Sequence, residues 1–255
     1  MSSLALLSTI ASQTRRLACE IKFLIPAGTA PQILEWARGR LAPDPNGTEQ
    51  DDDSYRTTSL YFDTAELSVF HRQGSYKRSK YRVRRYGFSE YVFLERKLKT
   101  RNLVGKRRAI VPLGELPRLQ NGTPEKGWPG YWFHRRLQVR RLAPVCMVSY
   151  LRTARVRGTE EGPIRLTLDR SLCACRTGDL CFDATRKSVS LSTENSILEL
   201  KYLVAMPALF KCLVEEFRLA PVSVSKYRFA VAALDLAAPF EYDELIERNG
   251  ATAYA

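Results

Sequence analysis

Basic residues at two-residue spacing dominate the stretch 80–109, and they are the residues best suited to do chemistry. Lys80, Arg82 and Arg84 would share one face of a β-strand, since successive side chains of a strand point to opposite sides. The same spacing recurs in two further strand-like runs, at Lys97 and Lys99 and at Lys106 and Arg108. Cations that face one another on adjacent strands repel unless an anion or carboxylates lie between them. The pattern therefore predicts a polyanion-binding sheet face, against the alternative of amphipathic strands with one solvated face.

Length and charge limit the classes of partner. The chain has 255 residues, 45% hydrophobic composition and a net charge of +13. This length allows one large β-rich domain or two small ones, and the apolar content argues against wholesale disorder. The positive charge indicates an anionic partner: nucleic acid, an anionic membrane or a phosphate-rich small molecule.

The chain contains no apolar run long enough to span a bilayer, so we do not expect an integral membrane protein. The first residues lack the basic start of a signal peptide, and Arg15 and Arg16 fall where its small-residue cleavage region should be. We therefore expect a cytoplasmic protein. Cys173, Cys175 and Cys181 form a local group that allows a zinc site, but reduced thiols are the favoured reading.

Alternating and helical periodicities place these residues on elements. Besides the three runs within 80–109, we predict strands at 18–26, 57–63, 148–155, 164–169 and 197–202. Helical patterns begin near Pro31 and cover 131–142, 207–219 and 223–236. The acidic, turn-rich segment 43–54 is predicted to be a solvated loop.

The polar faces of the predicted strands carry nearly all of the charge that could act together. Their cations are Lys22, Lys80, Arg82, Arg84, Lys97, Lys106, Arg108, Arg152, Arg165 and Lys201, and their anions are Glu20, Glu95, Asp169 and Glu199. If the helices cover the apolar faces, the charged faces must line the inside of a closed, wet barrel. The surplus of cations suits a multiply charged anion, and the carboxylates suit Mg²⁺ or Mn²⁺.

Nine short motifs in order carry a family resemblance. They are E-x-K-F at 20–23, S-L-Y-F-D-T at 59–64, K-Y-R-V-R at 80–84, L-E-R-K at 94–97, K-R-R at 106–108, Y-L-R at 150–152, R-L-T-L-D at 165–169, L-E-L-K-Y at 198–202 and S-K-Y at 225–227. Together they resemble the VTC domain. That domain is the polyphosphate-polymerase module of the vacuolar transporter chaperone family, within the CYTH-like triphosphate tunnel metalloenzymes.

The resemblance implies an α+β fold: an eight-stranded antiparallel β tunnel with a charged lumen and helices packed on the outside. We expect a single domain over 1–255, with a core at about 18–236, an N-terminal arm or helix at 1–17 and a tail at 237–255. The implied activity is metal-dependent phosphoryl transfer that makes polyphosphate from the γ-phosphate of ATP, with Mn²⁺ or Mg²⁺.

The resemblance and the lumen charges together assign roles to particular residues. We expect catalytic roles for Arg82, Arg84, Lys97 and Glu199. Glu199 and Glu20 are the expected metal ligands. The expected phosphate-binding residues are Lys22, Lys106, Arg152, Arg165, Lys201, Ser225 and Lys226. Lys80, Lys99 and Arg108 rank below these.

Two other functions stay open at this point. The same tunnel could hydrolyse a triphosphate, with water in place of the phosphate acceptor. Alternatively, the domain could bind polyphosphate or RNA without catalysis, although no RNA- or DNA-recognition motif is evident and we expect no nucleic acid partner. ATP and polyphosphate or pyrophosphate are the expected ligands. A membrane partner protein and the oligomeric state stay open.

Overall fold

Eight long strands build the computed structural model, which describes residues 18–47, 53–100, 103–120, 122–183, 185–191, 194–237 and 247–248. The strands are β1 (Ala18–Pro26), β2 (Ser54–Asp63), β3 (Ser79–Tyr86), β4 (Tyr91–Thr100), β5 (Leu103–Pro112), β6 (Ala143–Arg157), β7 (Ile164–Arg176) and β8 (Asn195–Tyr202). The predicted arm at 1–17 and the predicted tail, apart from 237 and 247–248, lie outside the described residues.

The strands close into an antiparallel barrel. Their order is β6-β2-β3-β4-β5-β1-β8-β7, and β7 pairs back with β6. The contact between β5 and β1 is narrow over the described residues, where only Ala18 with Val104 and Cys19 with Leu103 are in register. This closed eight-stranded barrel with outer helices confirms the predicted fold. The single-domain boundaries stay a prediction.

The two faces of each strand have opposite environments, as the alternation predicts. In β3, Tyr81 and Val83 are fully buried on the outer side, whereas Arg82 and Arg84 point into the lumen toward Glu95. The hydrophobic core therefore lies outside the barrel, between its outer face and the helices. This is the reverse of a small barrel whose interior is filled by apolar side chains.

Three helices cover the outer face: α1 (Ala30–Arg38), α2 (Tyr131–Val139) and α3 (Ala208–Glu216). Phe133 of α2 packs edge-on against Phe62 of β2, with ring centroids 5.7 Å apart. Helix α3 begins just after Pro207, which is its N-cap instead of the first-turn residue that the sequence predicted. Within the described part of the chain, no helix is long and apolar enough to cross a membrane.

A fourth helix, α4 (Lys226–Ala233), starts three residues later than predicted. Ser225 is extended and its hydroxyl accepts a hydrogen bond from the backbone N–H of Arg228, so it caps the helix. Val222 and Ser223 are extended as well and pair with 247–248. A capping serine and a short bridge therefore replace the first predicted turn.

Helix α4 lies across one end of the barrel, because residues at its start contact inward-facing groups of several strands. The Lys80 ammonium of β3 donates to Ser225 Oγ at 2.7 Å, and Lys22 of β1 donates to the Val224 carbonyl at 3.1 Å. The Tyr227 hydroxyl donates to Asp63 Oδ2 of β2 at 2.6 Å. These contacts join the helix to three strands of the barrel.

We predict that Tyr227→Phe destabilises the protein by about 1–3 kcal/mol, because the buried Asp63 carboxylate loses a donor that water does not replace. Denaturant-induced unfolding measures the change. Tyr91→Phe is the matched control, since Tyr91 is 44% exposed and its hydroxyl should be dispensable. Equal stability of the two variants would contradict the anchoring role of Tyr227.

Candidate functional site in the barrel lumen

Glu95 of β4 lies at the centre of the largest charge cluster and is fully buried. Its Oε2 accepts from Arg82 Nε at 2.7 Å, and its Oε1 accepts from Arg108 Nε at 2.7 Å. Lys106 Nζ lies 3.5 Å from Oε1, and Arg84 Nη1 lies 4.0 Å from Oε2. Although burial raises it, these cations hold the pKa of the Glu95 carboxyl well below its usual range. One carboxylate on β4 thus compensates cations from the two strands that flank it, β3 and β5.

A second cluster joins β1, β8 and β4 around two carboxylates. Antiparallel register places Glu20 opposite Lys201 and Lys22 opposite Glu199, so unlike charges alternate between β1 and β8. Lys201 Nζ lies 2.8 Å from Glu199 and 3.5 Å from Glu20. Lys97 reaches from β4 to Glu20 at 2.5 Å. The two expected metal ligands therefore share two lysines, Lys201 and Lys22, and lie close together.

Asp169 of β7 forms a third cluster with two expected phosphate ligands. Arg152 binds it with two hydrogen bonds, of 2.6 and 2.7 Å, and Lys226 Nζ lies 2.7 Å from its Oδ2. Against the effect of burial, Arg152 and Lys226 lower the pKa of Asp169 to about 2. Arg152 and Lys226 thus reach the lumen, but both are engaged by Asp169.

Arg165 contacts none of the carboxylates of the three clusters, unlike most of the other expected phosphate ligands. Its Nη2 donates to the Tyr55 hydroxyl at 3.0 Å and lies 3.0 Å from Asp44 Oδ2. Asp44 belongs to the segment predicted as a solvated loop, yet it is only 4% exposed. The prediction was wrong at this residue. Asp44 Oδ1 accepts from the Asn46 N–H in an Asx-type turn, but a turn does not indicate that the residue is buried against a distant strand.

The lumen also contains groups that the sequence ranked low or missed. Lys80 and Arg108, which the sequence ranked below the other cations, both reach the lumen. Lys80 donates to Ser225 and Arg108 donates to Glu95. Tyr150 was missed as a partner of Arg84, whose Nη2 lies 3.1 Å from its hydroxyl. The structure thus brings the expected residues to one lumen, where most already hold a carboxylate or hydroxyl.

The donor set of Glu20 and Glu199 fits a hard divalent cation. Both are carboxylates, and Glu20 Oε2 is buried without a hydrogen-bond partner among the described atoms. Over the described residues, no group of three or more His, Cys, Asp or Glu could hold a metal. Mg²⁺ or Mn²⁺ bound here would therefore complete its shell with water and phosphate oxygens, as Mg²⁺ commonly does. The same finding leaves the cysteine group without support as a zinc site.

Three lumen groups titrate near neutral pH. Burial lowers the pKa of Lys97 to about 8 and that of Lys106 to about 7, although Glu20 and Glu95 respectively oppose the change. Burial raises the pKa of Tyr86, but Arg84 and Arg108 outweigh it and lower the value to about 7. The positive charge of the lumen therefore falls as the pH rises above neutrality.

A closed antiparallel barrel with a cationic lumen defines the triphosphate-tunnel class, and solved structures share this fold. A candidate adenylate cyclase from Bacillus halodurans matches with a TM-score of 0.51 and 14% identity, over 83% of this chain and 95% of that one. A candidate adenylyl cyclase from Hippeastrum, described as having a dominant triphosphatase activity, gives 0.46 and 16%, over 83% and 93%. The PH1819 protein of Pyrococcus horikoshii gives 0.42 and 12%, over 80% and 92%.

The family follows from the sequence. The model of the VTC domain matches residues 18–235, which is most of the chain, and the chain belongs to the VTC domain family. No curated protein sequence matches it significantly. The resemblance drawn from the nine motifs is therefore confirmed. Family and fold together place the chain among phosphoryl-transfer enzymes of the triphosphate-tunnel type.

We predict that Glu95→Gln lowers the free energy of unfolding by about 3–5 kcal/mol, because it leaves buried cations without their counter-charge. Thermal unfolding with and without inorganic tripolyphosphate provides the measurement. The anion should raise the midpoint of the variant more than that of the wild type, since it supplies the missing negative charge. An equal rise in both proteins would refute this account of Glu95.

We predict that tripolyphosphate binding weakens by about tenfold or more between about pH 7 and about pH 9, as Lys106 and Lys97 lose their protons. Titration calorimetry at several pH values measures the dissociation constant. A Lys97→Arg/Lys106→Arg variant is the control, because arginine stays charged over this range. Its profile should be flatter, and a slope as steep as that of the wild type would rule out these two lysines as the cause.

Proposed function

We propose that this protein is a metal-dependent phosphotransferase that extends polyphosphate with the γ-phosphate of ATP. The observation that supports it is the excess of cations in an enclosed lumen, where four strand carboxylates and Asp44 compensate only part of the charge. The cations are Lys22, Lys80, Arg82, Arg84, Lys97, Lys106, Arg108, Arg152, Arg165, Lys201 and Lys226. A chain of phosphates offers several negative charges along its length, which a row of cations on facing strands can match.

Arg82 and Arg84 are the proposed centre of phosphate binding. Glu95 holds Arg82 through Nε and Nη2, which fixes the plane of that guanidinium. Arg84 is held by hydroxyl groups, at 3.2 Å from Ser59 Oγ and 3.1 Å from the Tyr150 hydroxyl, and is 4.0 Å from Glu95. Neutral partners leave most of its positive charge uncompensated. Fixed donors of this kind stabilise charge on a transferring phosphoryl group without reorganising.

Lysines on either side of this centre would neutralise the remaining phosphates. Lys106 lies on the Glu95 side, and Lys97, Lys22 and Lys201 surround the two carboxylates on the other. Glu199 and Glu20 would hold the Mg²⁺ or Mn²⁺ that enzymes of this class generally use. When bound, the ion would supply positive charge that offsets the charge developing on the leaving group. The lumen needs no covalent nucleophile, since phosphoryl transfer depends mainly on positioning and charge stabilisation.

Ser225 and Lys226 would act at the end of the lumen that helix α4 covers. Both are buried, and they reach Lys80 of β3 and Asp169 of β7 respectively. A phosphate arriving there would meet Lys226 together with Arg152, the two cations that share Asp169. We propose that this group binds the terminal phosphates of the nucleotide or of the growing chain.

The test is incubation with ATP and Mn²⁺, followed by a gel stained for long polyphosphate. We predict a polyphosphate ladder with the wild type and a loss of about a hundredfold or more in rate with Arg82→Ala, since a lost transition-state donor has this order of effect. Glu199→Gln should also lose the ladder. Arg135→Ala is the control, because this exposed arginine of α2 lies outside the barrel.

Other outcomes separate the rival functions. Release of phosphate or pyrophosphate without a ladder would favour hydrolysis in the same tunnel. Metal-independent binding of polyphosphate that survives Glu199→Gln, with no turnover, would favour a binding module. An unchanged rate in Arg82→Ala would refute the proposed site itself.

A further inference from the structure

We propose a second binding site, for a compact phosphate anion such as pyrophosphate, in a cleft of about 550 Å³ on the outside of the barrel. Three arginines from separate segments line this cleft. Arg141 follows helix α2, Arg176 ends β7 and Arg186 lies in the next loop. None of the cations assigned to the lumen lines it. The site is therefore distinct from the proposed tunnel site.

The three arginines differ in what already holds them. Arg141 is exposed and has no ion-pair partner among the described residues. Arg186 donates through Nη2 to Asp179 at 2.6 Å, but its Nε is buried and has no hydrogen-bond partner in the described structure. The described carboxylates therefore engage Arg186 at one guanidinium nitrogen only.

Arg176 is fixed by the end of helix α4. Its Nε donates to the Leu234 carbonyl at 3.0 Å, and its Nη2 contacts the carbonyls of Leu234 and Asp235. These acceptors are neutral, so the full guanidinium charge stays on the cleft wall. Arg176 is therefore held in position before an anion binds, which lowers the ordering cost of binding.

The rest of the lining favours an anion. Asp63 also borders the cleft, but its carboxylate is occupied by the N–H groups of Val69 and Phe70 and by the Tyr227 hydroxyl. Apolar side chains such as Leu67 and Leu236 complete the wall of the cleft. Guanidinium groups match phosphate oxygens with paired hydrogen bonds, so a compact phosphate anion is the best fit.

A second cleft of similar volume differs from this one in the number of arginines that line it. A cleft of about 510 Å³ beside Pro31 and Ser196 contains one arginine, Arg170, which already donates to Ser54 and Thr153. Similar volume without converging cations gives no reason for an anion to bind there. We therefore assign the anion site to the cleft with three arginines alone.

The test uses the full chain with Arg82→Ala and Arg84→Ala to disable the tunnel, and pyrophosphate as the probe in titration calorimetry. This parent variant should still bind one equivalent of pyrophosphate. Adding Arg141→Ser and Arg186→Ser should weaken that binding by about tenfold or more. The matched control adds Arg135→Ser and Arg136→Ser, which removes the same charge from exposed positions of α2 and should leave binding unchanged.

Three results would overturn the site: no binding to the parent variant, unchanged binding after the cleft substitutions, or an equal loss in the control. Thermal unfolding of each variant shows that it is folded before it is titrated. The readout is binding and not turnover, so an absence of polyphosphate synthesis in the gel assay would leave this result unaffected.

Discussion

The structure depends on compensating many like charges inside one closed sheet. Eleven cations in an enclosed space would repel one another strongly at low effective dielectric. Glu95, Asp169 and the pair Glu20 and Glu199 engage nine of them in three groups, each built around buried carboxylate, whereas Arg165 pairs with Asp44 and Lys80 donates to Ser225. The compensation is incomplete, and this leaves a net positive charge that can attract an anion. The same uncompensated cations therefore lower the stability of the fold and raise its affinity for an anion.

A charged lumen forces the hydrophobic core to the outside. The outer faces of the strands, with residues such as Tyr81 and Val83, are fully buried under helices and loops. Helix α4 has a different part, because its first residues are polar and enter the lumen while Phe229, Ala230 and Val231 are buried. It is the one described helix that contacts both the charged interior and the apolar exterior. Helices α1 to α3 thus cover the sides of the barrel with apolar residues, whereas the start of α4 covers one end with polar residues.

Alternation made much of the fold and lumen predictable, because a strand has two faces and the sequence repeats with the same period. The inward positions of Arg82, Arg84 and Glu199 follow from that rule alone. Partners across the barrel do not. Arg165 meets Tyr55 across 110 residues of sequence, and no local pattern states that contact. Helix α4 was predicted to begin too early for a related reason. The helical spacing of apolar residues continues on the N-terminal side of Ser225, and spacing alone does not show that the backbone there is extended.

The pairing of β1 with β8 has a consequence for how the protein is made. Glu20 belongs to the first strand and Glu199 to the last, so the ribosome must release nearly the whole barrel before these carboxylates can meet. Contacts at such sequence separation are slow to form. Until they form, the nascent chain carries unpaired cations and an open sheet edge. The proposed metal site therefore forms only when the barrel closes between its first and last long strands.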